Sequence, residues 1–203
     1  TVCSSSDPLF VMAFLQTIRN FLIRPTARGI TVVEPAPPTT YRVDRLRPTD
    51  LNELLRLNFR CFDNGENYTR HTFSYLLSQP NAICLRTLTA EDRMAGFLCV
   101  LVGDDGIAHI TTIGVAPEHR RRGLAAQLLE ELDDALLARG ISAAVLEVRV
   151  GNVAAQRLYE ACGYFTTQRI AKYYNDGEDG FLMVKALSDD RSVRDVLSRY
   201  DPL

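Results

Sequence analysis

The sequence predicts an α/β (α+β) domain: one mixed, mostly antiparallel sheet with helices on both faces. Three observations predict it. Strand-like and helix-like runs follow one another as one strand, two helices, three strands, then helix, strand, helix and two strands. Gly123 to Arg139 is the clearest helix, because Leu124, Leu128, Leu132 and Leu136 repeat every four residues. Asp104-Asp105-Gly106 supplies a tight turn between two strand-like runs, Met94 to Val102 and Ile107 to Val115, which makes that pair antiparallel.

The remaining elements are read in order. Tyr41 to Leu46 is a strand, and Thr49 is placed to cap a helix running to about Cys61, with Leu51, Leu54, Leu55 and Asn58 on successive turns. A polar loop, Asp63 to Asn67, precedes a helix over Tyr68 to Ser78 and a strand over Ala82 to Leu88. In the long helix, Glu130, Glu131, Asp133 and Asp134 are expected to face water, and Gly140 sits at a left-handed stop. Ala143 to Val150 is a strand, Val153 to Cys162 a helix, Tyr164 to Tyr174 a strand, Asp176 to Gly180 a turn and Phe181 to Leu187 the last strand.

This domain spans residues 41–187, with an extension over 1–40 and a polar tail over 188–203. In the extension, Leu9 to Ile23 has helical, mostly apolar character and Arg24-Pro25 ends it, since the residue before proline is pushed out of the helical region. Pro35, Pro37 and Pro38 mark an extended linker. The apolar stretch is too short and too polar to span a bilayer. Docking on its own domain, on a partner or on a membrane surface, and the remnant of an organelle-targeting segment, stay open as its roles. The chain begins with Thr1 rather than methionine, so processing or truncation is open as well.

With 203 residues, 46% hydrophobic and 24% charged, the composition excludes disorder, collagen and coiled coil. A net charge of −2 argues against direct nucleic-acid binding, which would show a basic excess. The five cysteines are odd in number and form no CxxC pair, so neither a disulfide framework nor a metal site is expected. A reducing, cytoplasmic location is the default.

Two constellations carry chemistry. In the first, Val115 closes a β-branched strand and Arg120, Arg121, Arg122, Gly123, Leu124 and Ala125 lead into the long helix. The first amides of a helix lack internal partners and point outward with the helix dipole behind them. Three arginines and a glycine at that point suit a pyrophosphate, although a solvated charge run explains the arginines equally simply. In the second, Glu147 lies inside an apolar strand, on one face with Val145 and Arg149. An acid there is either paired with an arginine, Arg149 being the candidate, or a base tuned by burial. Asn152 reads equally as a helix N-cap, and Tyr159 as core.

Together these residues resemble the GNAT superfamily of N-acetyltransferases. Arg120-x-x-Gly123-x-Ala125 is similar to its acetyl-CoA signature, and Leu146-Glu147-Val148-Arg149 through Asn152, Leu158-Tyr159 and Gly163-Tyr164 is similar to the RimI-type branch, which acetylates a ribosomal-protein alanine. The run Tyr173 to Asp179 resembles protein N-terminal acetyltransferases more widely. The resemblance covers about residues 41 to 187. It implies that backbone at Thr112, Ile113, Gly114 and Val115 contacts the acetyl-pantetheine arm, that Arg120 to Ala125 hold the pyrophosphate, and that Asn152 bonds the cofactor. It implies Glu147 as general base, Tyr159 as general acid, and Glu66, Tyr173 and Tyr174 at the peptide channel, with Glu66 a second candidate carboxylate. His109 stands where one relative uses a tyrosine; as a lone histidine it reads as structural.

The expected activity is transfer of acetyl from acetyl-CoA to the N-terminal α-amine of a protein, a ribosomal protein among the candidates. The alternatives are a GNAT enzyme for a small amine or lysine side chain, and a non-catalytic acyl-CoA-binding module.

Overall fold

The computed structural model describes residues 33–62 and 67–188. The Leu9–Ile23 helix, Glu66 and the tail from residue 189 lie outside the described residues.

Seven strands form one sheet in the order β1-β2-β3-β4-β5-β7-β6. They are β1 Tyr41–Arg45, β2 Ala82–Thr89, β3 Met94–Val102, β4 Ile107–Val115, β5 Ala143–Arg149, β6 Phe165–Ile170 and β7 Gly180–Ala186. The helices are α1 Leu51–Cys61, α2 Arg70–Ser78, α3 Leu124–Leu137 and α4 Val153–Ala161. The order of elements is the one the sequence predicts. By internal contacts the described residues form two compact units, one holding those up to Leu101 with Thr111–Leu128, the other Val102–Ile110 with residues 129–188.

In the first unit β1, β2 and β3 pair antiparallel in sequence, with Arg86 opposite Phe97 and Cys84 opposite Cys99. Alternation puts Phe97, Cys99 and Leu101 on one face, and there they pack with Leu54 and Leu57 of α1 and Phe73 and Leu76 of α2. Phe73 and Phe97 meet edge to face at 6.0 Å. Each such Leu or Phe contributes about 1.5–3 kcal/mol of burial. Arg86 is held by Asp50 at 2.8 Å and Asp44 at 3.2 Å. Thr49 does not cap α1. It lies inside a 3-10 turn, Pro48–Asp50, because Pro48 pre-sets the first turn and Asp50 then occupies the capping position. Thr69 caps α2, accepting from the Thr72 amide at 3.2 Å.

In the second unit β5 lies between β4, in parallel, and β7, antiparallel, and β6 closes the edge on β7. Ile107, Ala143, Val145 and Val184 form a buried cluster. The predicted strand Tyr164 to Tyr174 is shorter than expected, Phe165–Ile170, because Lys172 takes a left-handed φ of 51° and Asp179 accepts from its amide at 2.8 Å. Asp133 does not face water. It pairs with Lys185 of β7, both side chains 18% exposed, and the ion pair is what admits a carboxylate there.

Gly114 marks the tightest packing in the first unit. A Cβ there would lie 2.6 Å from the fully buried Phe97 ring and 3.1 Å from Cys61 Sγ. Gly114→Ala is therefore expected to lower unfolding free energy by about 1–3 kcal/mol, the usual cost of overpacking. Denaturant titration checks this, and an unchanged midpoint would contradict it.

Candidate active site

The turn between β4 and α3 is built by its own arginines. Arg120 donates to the Val115 carbonyl at 3.2 Å and the Cys61 carbonyl at 3.1 Å. Arg122 donates to the Pro37 carbonyl at 3.0 Å, the Tyr41 hydroxyl at 2.7 Å and the Ala36 carbonyl. The Ala36 amide returns a bond to the Glu118 carbonyl at 2.9 Å, and Glu118 pairs with Arg60. Tyr41 also meets His119 Nδ1 at 2.8 Å. Desolvation holds His119 below its ordinary value. The linker before β1 is thus a strap over residues 118–122, a contact that sequence spacing did not indicate. Arg121 is exposed.

This pinning shapes an anion cradle. Arg121 and Gly123 take left-handed φ angles of 63° and 79°. A Cβ on Gly123 would meet nothing within 4 Å, so that side of the turn is open to a ligand. The first α3 bond of the i to i−4 type runs from the Gln127 amide to the Gly123 carbonyl at 3.0 Å. The amides of Leu124, Ala125 and Ala126 therefore precede the helical ladder, where a phosphate oxygen is favoured. The residues present fit a diphosphate mainly through backbone amides and the exposed Arg121, since the guanidinium groups of Arg120 and Arg122 bond the chain itself.

Upstream of the cradle, Thr112, Ile113 and Gly114 continue β4, and the Thr111 carbonyl accepts from Tyr68 at 2.8 Å.

In the second unit the parallel β4–β5 ladder has three rungs, ending at His109 opposite Val145. Glu147 follows two residues later and, by alternation, on the same face as Val145. Its Oε2 lies 2.8 Å from His109 Nε2, with side chains 8% and 7% exposed. His109 Nδ1 is buried without a hydrogen-bond partner among the described residues. The tautomer with its proton on Nε2 donates to the carboxylate and leaves only a lone pair at Nδ1. His109 is thus not a lone histidine. Arg149 binds Asp176 and Glu178 and stacks on Tyr174 at 4.0 Å.

Tyr159 is buried on α4 and meets Tyr164 edge to face at 5.9 Å. Burial pushes its phenol well above the ordinary range, so it stays protonated as a donor. Asn152 caps α4, accepting from the Ala155 amide at 3.2 Å. Tyr173 is buried, its ring 2.9 Å from where a Gly180 Cβ would stand, and Tyr174 meets it edge to face at 5.2 Å. Among the described residues no cluster of His, Cys, Asp or Glu is placed to hold a metal ion, and no helix is long and apolar enough to cross a membrane.

Residues 49–164 match the model of the acetyltransferase (GNAT) family. The chain is 35% identical over 166 residues to the N-terminal acetyltransferase B complex catalytic subunit NAA20 of Arabidopsis thaliana, covering 78% of this chain and 94% of that protein. The chain belongs to the acetyltransferase (GNAT) family. It is also 41% identical over 104 residues to the ribosomal protein bS18 alanine N-acetyltransferase of Salmonella typhimurium, covering 50% of this chain and 70% of that one. Among solved structures, the ribosomal-protein-S18-alanine N-acetyltransferase from Escherichia coli aligns with a TM-score of 0.68 at 30% identity, covering 74% of this chain and 96% of that one. As a GNAT enzyme the chain is an N-acetyltransferase whose co-substrate is acetyl-CoA.

The strap gives Arg122 and Arg121 different expected behaviour. Arg122→Ala should speed proteolytic cleavage within residues 33–41 and lower the thermal midpoint, whereas Arg121→Ala should change neither. Equal effects from the two variants would contradict the strap. The buried His119 adds a pH dependence. Its folded value lies below its unfolded 6.5, so the unfolded chain binds the extra proton and this contribution is lost as pH falls through 6.5. His119→Gln should flatten the drop in denaturant midpoint between pH 7.5 and about 5.5; an identical slope would remove His119 as its source.

Proposed function

We propose that this GNAT enzyme acetylates the α-amine of a protein N-terminus by direct attack on acetyl-CoA, with Glu147 as the proton acceptor. The observation that carries the role of Glu147 is its carboxylate held by His109 just past the end of the parallel ladder. The substrate class rests on likeness to relatives named for protein N-termini. A ribosomal protein with N-terminal alanine is the first candidate, by likeness to the bS18 enzyme, and the cytoplasm is the compartment we assign.

Acetyl-CoA supplies the acetyl group activated as a thioester. The chain's residues do the rest. Amides at Leu124 to Ala126, with Arg121, bind the diphosphate; Arg120 and Arg122 hold the turn in shape. Strand backbone at Thr112 to Val115 aligns the pantetheine arm, and an amide there polarises the thioester carbonyl. Asn152, its carbonyl engaged in the cap, offers its amide nitrogen to the cofactor. An α-amine has a pKa of about 7.7–8.0, so roughly a tenth or more is neutral at pH 7, against under about a thousandth of a lysine. A carboxylate oriented by His109 is a sufficient base for that amine. The Tyr159 phenol donates to the departing sulfur without becoming phenolate, because its proton is held more firmly than a thiol's. Tyr174, fixed under Arg149, borders the peptide, with Tyr173 behind it; Glu66 is assigned to the same channel.

Peptides beginning with alanine, serine or methionine, incubated with acetyl-CoA, should gain one acetyl group at the α-amine by tandem mass spectrometry. Equal or faster acetylation of spermidine-like amines or of internal lysine would overturn the proposal. Glu147→Gln should lower kcat by about 10²–10⁴ while coenzyme binding persists. His109→Ala removes a charge-assisted hydrogen bond of about 1.5–3 kcal/mol and should lower kcat about tenfold or more. His109→Gln, which keeps a donor, should recover most of that loss. No difference between Ala and Gln at 109 would show that the bond to Glu147 does not matter to turnover.

A further inference from the structure

Cys84 and Cys99 play no part in the acyl-transfer site, and the fold sets them face to face. They are direct partners in the antiparallel β2–β3 ladder. The Cys84 carbonyl accepts from the Leu46 amide beside β1, at 2.9 Å, and the Cys99 carbonyl accepts from the Thr111 hydroxyl of β4, at 2.8 Å. Both carbonyls point away from the strand pair, so the two residues occupy a non-hydrogen-bonded position, where Cα atoms stand about 4.5 Å apart and side chains come closest. That separation is within the range that a disulfide bridges, about 4.4–6.8 Å. As direct partners on paired strands, they project their side chains to the same face of the sheet.

The two thiols are unequal. Cys99 has no exposure and belongs to the core with Phe97 and Leu54. Cys84 is partly exposed. Its thiolate is favoured first by the S–H of Cys99 and also by the Val100 amide, while Cys99 is pushed up by that same bond and by burial. Elsewhere, burial raises Cys61 to about 12 and raises Cys162 above its ordinary value.

We infer that Cys84 and Cys99 form a redox-active dithiol in which Cys84 reacts with low-molecular-weight disulfides and Cys99 resolves the product into a cross-strand disulfide. The Cys84 thiolate attacks one sulfur of the small disulfide and expels the other half as a thiolate. Cys99 then gives up its proton and attacks Cys84 Sγ, forming the Cys84–Cys99 bond and expelling the second half. Two electrons pass from the protein to the reagent, which leaves as two thiols carrying the two protons of the cysteines. The strand backbone need not move, because the ladder has already set the separation.

The test uses the full chain and oxidised glutathione, followed by alkylation and trypsin without reductant. Cys84 and Cys99 fall in separate peptides, 71–86 and 94–120, each with a single cysteine. The two are expected as one covalent pair, restored to separate alkylated peptides by dithiothreitol. In Cys99→Ser, peptide 71–86 should carry glutathione; in Cys84→Ser, peptide 94–120 should remain a thiol. Wild-type chain that holds glutathione on Cys84 with Cys99 reduced would overturn the inference. So would pairing of either residue with Cys61 or Cys162, or both peptides remaining thiols after long exposure. The wild-type measurement stands even if a variant folds poorly.

Discussion

Arginine side chains bound to the chain's own carbonyl groups are what the cradle at the start of α3 depends on. Arg120 ties the turn to the ends of β4 and α1, and Arg122 ties it to the strap at Ala36 and Pro37. Held on both sides, the backbone can keep left-handed conformations at Arg121 and Gly123, which cost energy in a non-glycine residue and persist only where the surroundings over-determine them. The result is a set of fixed helix amides, so the proposed diphosphate would leave little ordering entropy to be lost on binding.

The second constraint, in the other unit, is how the charged side chains of β5 are held. Glu147 and Arg149 stand two residues apart on β5 and share a strand face. Arg149 is claimed by Asp176 and Glu178 on the turn before β7. Glu147 Oε2 meets His109 Nε2 at 2.8 Å. The imidazole N–H of His109 fixes the orientation of that carboxylate.

Much of this was legible in the sequence, and what was not has a common cause. The elements follow from apolar spacing: the Leu124-Leu128-Leu132-Leu136 stripe is fully or almost fully buried, and Asp104-Asp105-Gly106 makes its turn with Gly106 at a φ of 75°. Local chemistry also sufficed for Asn152 as a cap and for Gly140 as a left-handed stop, with a φ of 71°. Partners distant in sequence were not accessible. Asp133 looked solvent-facing because nothing local announces Lys185, 52 residues away. The bond from His109 to Glu147 was not legible, because strand alternation gives the face and not the neighbouring strand's register. His109 is on the last parallel rung, and only the crossover through α3 brings β4 beside β5. Arg122 read as a free cation because a proline-rich linker offers no side chain that signals its carbonyls.

The fixed amides at the start of α3 can be observed directly. Titration of isotope-labelled protein with coenzyme A, followed by amide resonances, should give saturable shifts that are largest at Gly123, Leu124, Ala125 and Ala126. Saturable binding that leaves those four amides unmoved, or no binding at all, would contradict a diphosphate held at this turn and with it the assignment of the chain's acyl-transfer site.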